Sequence, residues 1–397
     1  MNGIIKSMAS ILLAASLTIG TGCDKGGDSS SAPAESSTPD VVQTEQANAK
    51  VSIEGSKFMV DGKELWINGV NTPWHYWNDF TGKFNYEWWD ETFAQLASDG
   101  INATRIWINC NGESTVQLKR DGTLLGIKEE HWDDLAKLFE IASNHHVYVM
   151  ATLTSFDHFK SEGNSGEKWR AMITSKDGTD SFAETYVKRF CEKFGEEEYL
   201  FSIDLMNEPD WVHENTECGQ IDWDNLAYFF GKCASVIHDN CSTPVTVGMG
   251  IIKYNSEKYE GDKIADSYLK EITGLDNATI DFYSTHYYMW EKPYFGFPFT
   301  QSPQDFGLDT DKPCLIGETS NDDEKECKLT LTEKYTSAYD NGWNGVMVWM
   351  EPRADEELKW YRYDLTETAT NAMYELIPEK VDPLGRLSIS AAADNAA

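Results

Sequence analysis

The chain has 397 residues, 41% of them hydrophobic and 25% charged, which is enough for one large core or two ordinary domains and excludes wholesale disorder. Its 33 Lys+Arg stand against 66 Asp+Glu, a net charge of −33, so nucleic acid and acidic membrane surfaces are repelled as partners. Fourteen Trp and 13% aromatic residues exceed what a core needs, and flat rings on a soluble acidic chain suit flat, neutral ligands such as sugars.

Residues 1–22 hold one charge, Lys6, then an apolar centre and a small-residue exit, which reads as a secretory signal peptide. The apolar centre is too short to span a bilayer as a mature helix. Ile19-Gly20-Thr21-Gly22-Cys23 resembles a bacterial lipobox, departing from it at Gly20, so Cys23 is the expected lipidation site. A Ser-, Gly-, Pro- and Ala-rich linker completes 23–50 and acts as a flexible tether. The protein is therefore expected outside the cytoplasm, held to the envelope or cell surface by lipid, or else plainly secreted. Apart from Cys23, seven cysteines remain, an odd number that cannot all pair within one chain. None shows metal-site spacing.

From Val51 strand and helix signals alternate. The stretches 51–60 and 63–70 flank Asp61-Gly62, a hairpin signature. Helical periodicity follows at 86–98, 129–143, 182–194, 223–237, 264–272, 327–339 and 367–376. Strands are expected at 65–70, 103–108, 147–153, 200–206, 245–248, 280–284, 314–316 and 345–349. The strands are apolar on both faces, as in a parallel sheet covered on both sides. Eight such units predict a (β/α)₈ barrel over 51–380 with a short N-terminal β-hairpin, leaving 381–397 as a C-terminal tail. A doubly wound sheet is the other topology to weigh, but no GxGxxG follows the first strand.

Barrel enzymes place their chemistry at the C-terminal ends of the strands. The fourth predicted strand ends Asn207-Glu208-Pro209-Asp210-Trp211 and the seventh Ile316-Gly317-Glu318. A carboxylate buried at an apolar strand end is costly without a partner or a task. Glycoside hydrolysis supplies a task for two: one acid protonates the leaving oxygen while the other meets the anomeric carbon. A structural bridge to Arg or Lys is the plainer alternative for either one.

Asn207-Glu208-Pro209, Glu318, Asn68-Gly69-Val70-Asn71, Arg105, His286-Tyr287-Tyr288 and Trp349 together resemble glycoside hydrolase family 5, in the family's order from about Val51 to about Leu376. The resemblance implies a retaining β-glycosidase with Glu208 as acid/base and Glu318 as nucleophile. It further implies that Asn207 binds the sugar 2-hydroxyl, that Arg105 and Tyr288 hold Glu318, that His286 lines the cleavage subsite and that Trp349 floors it. It also implies a cis Trp349–Met350 bond. No metal or organic cofactor is required.

Arg105-Ile106-Trp107 and Leu153-Thr154-Ser155-Phe156-Asp157 look more like the endo-β-1,4-mannanases than the endoglucanases, whereas Asp210-Trp211 departs from typical mannanases. Mannan or glucomannan is the favoured substrate, with an endo-β-1,4-glucanase (cellulase) or a non-catalytic surface glycan-binding lipoprotein as alternatives. Trp74, Trp77 and Trp211 are candidate stacking platforms. The expected state is a monomer that meets the membrane only through its lipid.

Overall fold

The computed structural model describes residues 48–110, 112–160, 163–350 and 360–389. The expected signal peptide, Cys23 and nearly all of the linker lie outside the described residues, as do Glu351 and the end of the expected tail. The compact unit that holds every described residue begins at Ala47.

Eight parallel strands close into a barrel: β1 Ile67–Asn71, β2 Ala103–Trp107, β3 Tyr148–Thr152, β4 Leu200–Asn207, β5 Val245–Met249, β6 Tyr283–Tyr287, β7 Cys314–Ser320 and β8 Gly345–Trp349. Closure is made by β8 on β1, in register from Gly345 opposite Ile67 to Trp349 opposite Asn71. All strand residues are buried except Ser320 and Trp349 at the rim, which explains why the sequence shows apolar runs rather than alternation. Gly69 is needed inside the barrel, since a Cβ there would lie 2.8 Å from the Met347 side chain.

The expected hairpin is a three-stranded antiparallel sheet, Val51–Glu54, Lys57–Val60 and Lys63–Leu65. Asp61 (φ 49°) and Gly62 (φ 73°) are both left-handed in its second turn, as a tight hairpin of this twist demands. The sheet plugs the barrel floor: Phe58 meets Phe201 and Phe282 edge-on, each at 5.0 Å between ring centroids. Just ahead of it Ala49 is buried and its carbonyl accepts from the Tyr148 hydroxyl at 2.7 Å. At the other end Val381 is buried, and the packing carries on to Arg386, whose guanidinium reaches the Tyr199 hydroxyl at 3.4 Å.

The helices Tyr86–Ser98, Glu129–His145, Trp223–Asn240 and Tyr363–Leu376 lie close to their predicted places. Other elements differ from expectation. Strand β6 runs three residues later than expected, which carries His286 and Tyr287 into the sheet itself. The helix expected at 327–339 is two, Glu324–Cys327 and Leu331–Asp340, because Lys328 turns left-handed (φ 68°) and Thr330 with Glu333 caps a new start. A helix at Gly163–Ile173 was not foreseen. Its Gly-Asn-Ser-Gly opening reads as loop, and its buried Trp169, whose indole donates to the Gly112 carbonyl at 3.0 Å, is what holds it.

Candidate active site

Glu208 follows the last residue of β4 in a left-handed conformation (φ 51°, ψ 60°) that costs a non-glycine residue strain. Its N–H donates to the Gly248 carbonyl of β5 at 2.7 Å, and Pro209 opens the short helix Pro209–Glu214 at the position proline favours. The turn leans the Glu208 side chain over the barrel mouth. Glu318 lies within β7 and is 6% exposed.

Arg105 of β2 is fully buried and binds four groups at once. Its Nε and Nη2 donate to Asp204 Oδ2 at 3.0 and 2.7 Å, Nη2 also to Asn207 Oδ1 at 2.9 Å, and Nη1 to Asn71 Oδ1 at 3.1 Å and Glu318 Oε2 at 3.2 Å. The Tyr288 hydroxyl donates to the other Glu318 oxygen at 2.5 Å. His286 Nδ1 stands between the acids, 3.0 Å from Glu208 Oε1 and 3.5 Å from Glu318 Oε2. Glu208, His286 and Glu318 each bring a polar atom within 4.8 Å of the others. Such a trio could hold a cation, but the Arg105 guanidinium already fills that role at Glu318, and we read no metal site here.

Burial pushes Glu208 up to about 7, against the pull of Arg105 and with a further push from Asp157. It pushes Glu318 up as well; His286, Arg105 and Tyr288 pull it back while Glu208 raises it. With both Arg105 and Tyr288 donating to it directly, Glu318 is the acid that ionises first. Burial lowers His286 to about 4, so the ring is neutral at physiological pH.

The two acids lie in a cleft of about 330 Å³. Trp74, Trp107 and Trp349 form its wall above β1, β2 and β8, packed edge to face at 5.5–6.2 Å. Phe156, Trp211 and Trp290 form the wall above β3, β4 and β6, with Trp211 and Trp290 42% and 52% exposed. Asn207 also lines the cleft; among the described residues its Nδ2 has only a long contact to Ser155 Oγ at 3.4 Å, which leaves it available to a ligand. Arrays of this kind bind pyranose rings through their CH faces while two carboxyls act on one bond.

All seven site residues foreseen in the barrel, Arg105, Asn207, Glu208, His286, Tyr288, Glu318 and Trp349, converge on this cleft or its floor. Trp74 and Trp211 face it, whereas Trp77 packs against Trp74 at 4.2 Å between centroids. There is no cis peptide among the described residues, so the Trp349–Met350 bond is trans, against expectation. The indole reaches the cleft regardless, because Trp349 ends β8 beside Asn71. Two participants were missed. Asp204 signals itself in retrospect as a lone acid within an apolar strand, and Trp290 as an aromatic two residues past Tyr288.

No family model matches the chain. It is 23% identical over 337 residues to a mannan endo-1,4-beta-mannosidase of Mytilus edulis, covering 76% of this chain and 88% of that one. Among solved structures, a beta-1,4-mannanase of the sea hare Aplysia kurodai superposes with a TM-score of 0.72 at 22% identity, over 86% of this chain and 99% of that one. A glycoside hydrolase family 5 mannosidase of Rhizomucor miehei follows with a TM-score of 0.54 at 13% identity, over 84% and 100%. The fold of the chain is the (β/α)₈ barrel of these mannanase structures. The barrel brings Asn207 and Glu208, at the end of β4, to Glu318 of β7, although the two strands are neighbours neither in sequence nor in the sheet.

Proposed function

We propose that the protein is a retaining endo-β-1,4-mannanase in which Glu318 is the nucleophile and Glu208 the acid/base. The observation that carries this reading is the approach of the two carboxyls, one oxygen of each within 4.8 Å of the other, on the floor of an aromatic cleft. Retention needs carboxyl groups ~5–5.5 Å apart, whereas inversion needs ~6.5–9.5 Å to admit a water.

In the first step Glu318 Oε attacks the anomeric carbon and the bond to the leaving oxygen breaks, with Glu208 giving that oxygen its proton. A carboxyl near 7 still carries the proton at neutral pH, as a general acid must. The glycosyl ester removes the charge of Glu318, so Glu208, left ionised by the first step, stays ionised and can accept a proton from the water that attacks the same carbon. The ester bond then breaks and both acids return to their starting states. Asn207 Nδ2 would meet the 2-hydroxyl, and the Trp349 indole the sugar's CH face.

The choice of mannan rests on the relatives' names together with Arg105-Ile106-Trp107 and the Leu153–Asp157 stretch. Because Glu208 faces the leaving oxygen, the departing chain would run past Trp211 and Trp290 toward a second cavity of about 520 Å³. Export with a lipid on Cys23 belongs to the same proposal, supported by the composition of residues 1–50. Release of reducing ends from β-mannan, compared with carboxymethylcellulose, tests the function. Faster release from the cellulose derivative would replace mannanase by endoglucanase, and no release from either would leave a glycan-binding protein.

A further inference from the structure

Asp210 is the residue after Asn207-Glu208-Pro209 that sets this chain apart from typical mannanases, and the chemistry above gives it no task. It is 1% exposed. Its Oδ1 accepts from the Gly250 N–H at 2.8 Å, while Oδ2 has no partner among the described residues. Two residues earlier, the Glu208 N–H donates to the Gly248 carbonyl at 2.7 Å. The pairs 208/248 and 210/250 thus form two successive rungs beyond the last β4–β5 pairing, Asn207 opposite Gly248. In the second rung a side-chain carboxyl stands where a strand would offer a backbone carbonyl.

The packing shows how tightly this rung is drawn. A Cβ on Gly250 would lie 2.8 and 3.0 Å from the two Asp210 oxygens and 3.1 Å from Glu208 Cγ. The Asp210 carboxyl and the Glu208 side chain therefore bear on one α-carbon, from which only a glycine's lack of side chain excludes a clash. Glu208 itself is strained at φ 51° and precedes a proline, so an external restraint is needed to hold it.

We propose that Asp210 is a positioning residue for Glu208, clamping the loop after β5 so that the strained turn keeps the acid aimed at the leaving oxygen. The proposal rests on the reading of Glu208 as general acid. Burial, and after it the neighbouring Glu208 and Glu214 carboxyls, raise the Asp210 carboxyl well above the usual carboxylate range, which favours its uncharged form. Glu291, buried nearby with Oε2 unpartnered among the described residues, is raised in the same way, and Lys253 pairs with Glu214. A clamp in its uncharged form adds no repulsion to the charge that Glu208 takes on when it gives up its proton in the first step.

The test compares a leaving group that needs a proton with one that does not. Asp210→Ala is expected to lower kcat/KM on mannotetraose about a hundredfold, the low end of what general acid catalysis contributes, but to lower it only a few-fold on 2,4-dinitrophenyl β-mannobioside. Asp210→Asn keeps an oxygen for the Gly250 N–H and should restore both substrates together. A residue needed only for folding would depress both substrates alike in Asp210→Ala, and that result overturns the proposal. So does Asp210→Asn being as impaired as Asp210→Ala. If Asp210→Ala does not fold, Gly250→Ala, which pushes a methyl against both side chains, must give the same split between substrates, and equal losses there count against the clamp. Glu208→Ala is run in parallel: no split in that variant refutes Glu208 as the acid, whereas a split there with none at position 210 refutes the clamp alone.

Discussion

Asp204 grips Arg105 from the side opposite Glu318, through two hydrogen bonds to a single carboxylate oxygen at 2.7 and 3.0 Å. Both side chains are fully buried, and Asp204 also accepts from the Thr152 hydroxyl at 3.0 Å and the Gly248 N–H at 2.8 Å. One guanidinium is thereby shared between a fixed structural acid and a reacting one. Arg105 cannot swing toward Glu318 to neutralise it outright, which suits the nucleophile role proposed for Glu318.

Asp204→Ala should therefore cost stability and activity together. Removing one partner of a buried pair leaves the other charge uncompensated, at about 3–5 kcal/mol. Urea unfolding measures the first effect and kcat on mannan the second. A loss below about 1 kcal/mol would mean that water or Glu318 replaces Asp204 with ease, and the shared-cation description would fall.

Glu318→Ala should abolish turnover of mannan, and sodium azide should recover part of the activity on an aryl β-mannoside with a good leaving group. Azide occupies the space of the missing carboxylate and attacks from the same face, giving an α-mannosyl azide. NMR of the first sugar released by the wild type should show the β-anomer. An α-anomer from a β-linked substrate would contradict a retaining pair at this separation.

The barrel and its acids were legible in the sequence for a physical reason. Strands buried on both faces read as apolar runs, and an ionisable residue closing such a run, as Glu318 nearly does in Leu315-Ile316-Gly317-Glu318, violates the pattern where function tolerates it. Asp204 breaks the same pattern in mid-strand, but its partner Arg105 lies ninety-nine positions away, and pairing across a barrel leaves no local trace. The left-handed turn at Glu208 is equally silent, because Glu is not a residue that advertises positive φ. The trans Trp349–Met350 bond and the late start of β6 are local backbone choices that apolar patterning does not encode.

The N-terminal border of the folded unit gives a prediction on deletion. Removal of residues 1–46 should leave melting temperature and activity unchanged, since the compact unit begins at Ala47. Removal through Lys50 should cost about 1–3 kcal/mol, because the buried Tyr148 hydroxyl loses the Ala49 carbonyl and the Lys50 ammonium no longer reaches the Gly195 carbonyl at 2.5 Å. Equal melting temperatures for the two deletions would place the border after Lys50. Cys23→Ser, in the full chain, should move the protein from the membrane fraction to the soluble one; unchanged partition would point to another anchor.

The raised Glu208 carboxyl links catalysis to stability, and the sign can be worked out. In the fold it protonates near 7, and in the unfolded chain near 4.5. Between those values the native state binds a proton that the unfolded state does not, so stability falls as pH rises from about 4.5 through about 7 and then levels off. At 1.36 kcal/mol per unit the full penalty for keeping Glu208 ionised in its buried place is about 3 kcal/mol. Glu208→Gln cannot ionise and escapes it. The variant should thus be more stable than the wild type by under about 1 kcal/mol at pH 5 and by about 3 kcal/mol at pH 8, while losing its activity on mannan. Wild-type kcat/KM should fall on the alkaline side with a midpoint near 7, as the acid loses the proton it must donate. Thermal unfolding of both proteins at the two pH values is the measurement, and a stability difference that does not grow with pH would show that Glu208 carries no strained charge at neutral pH.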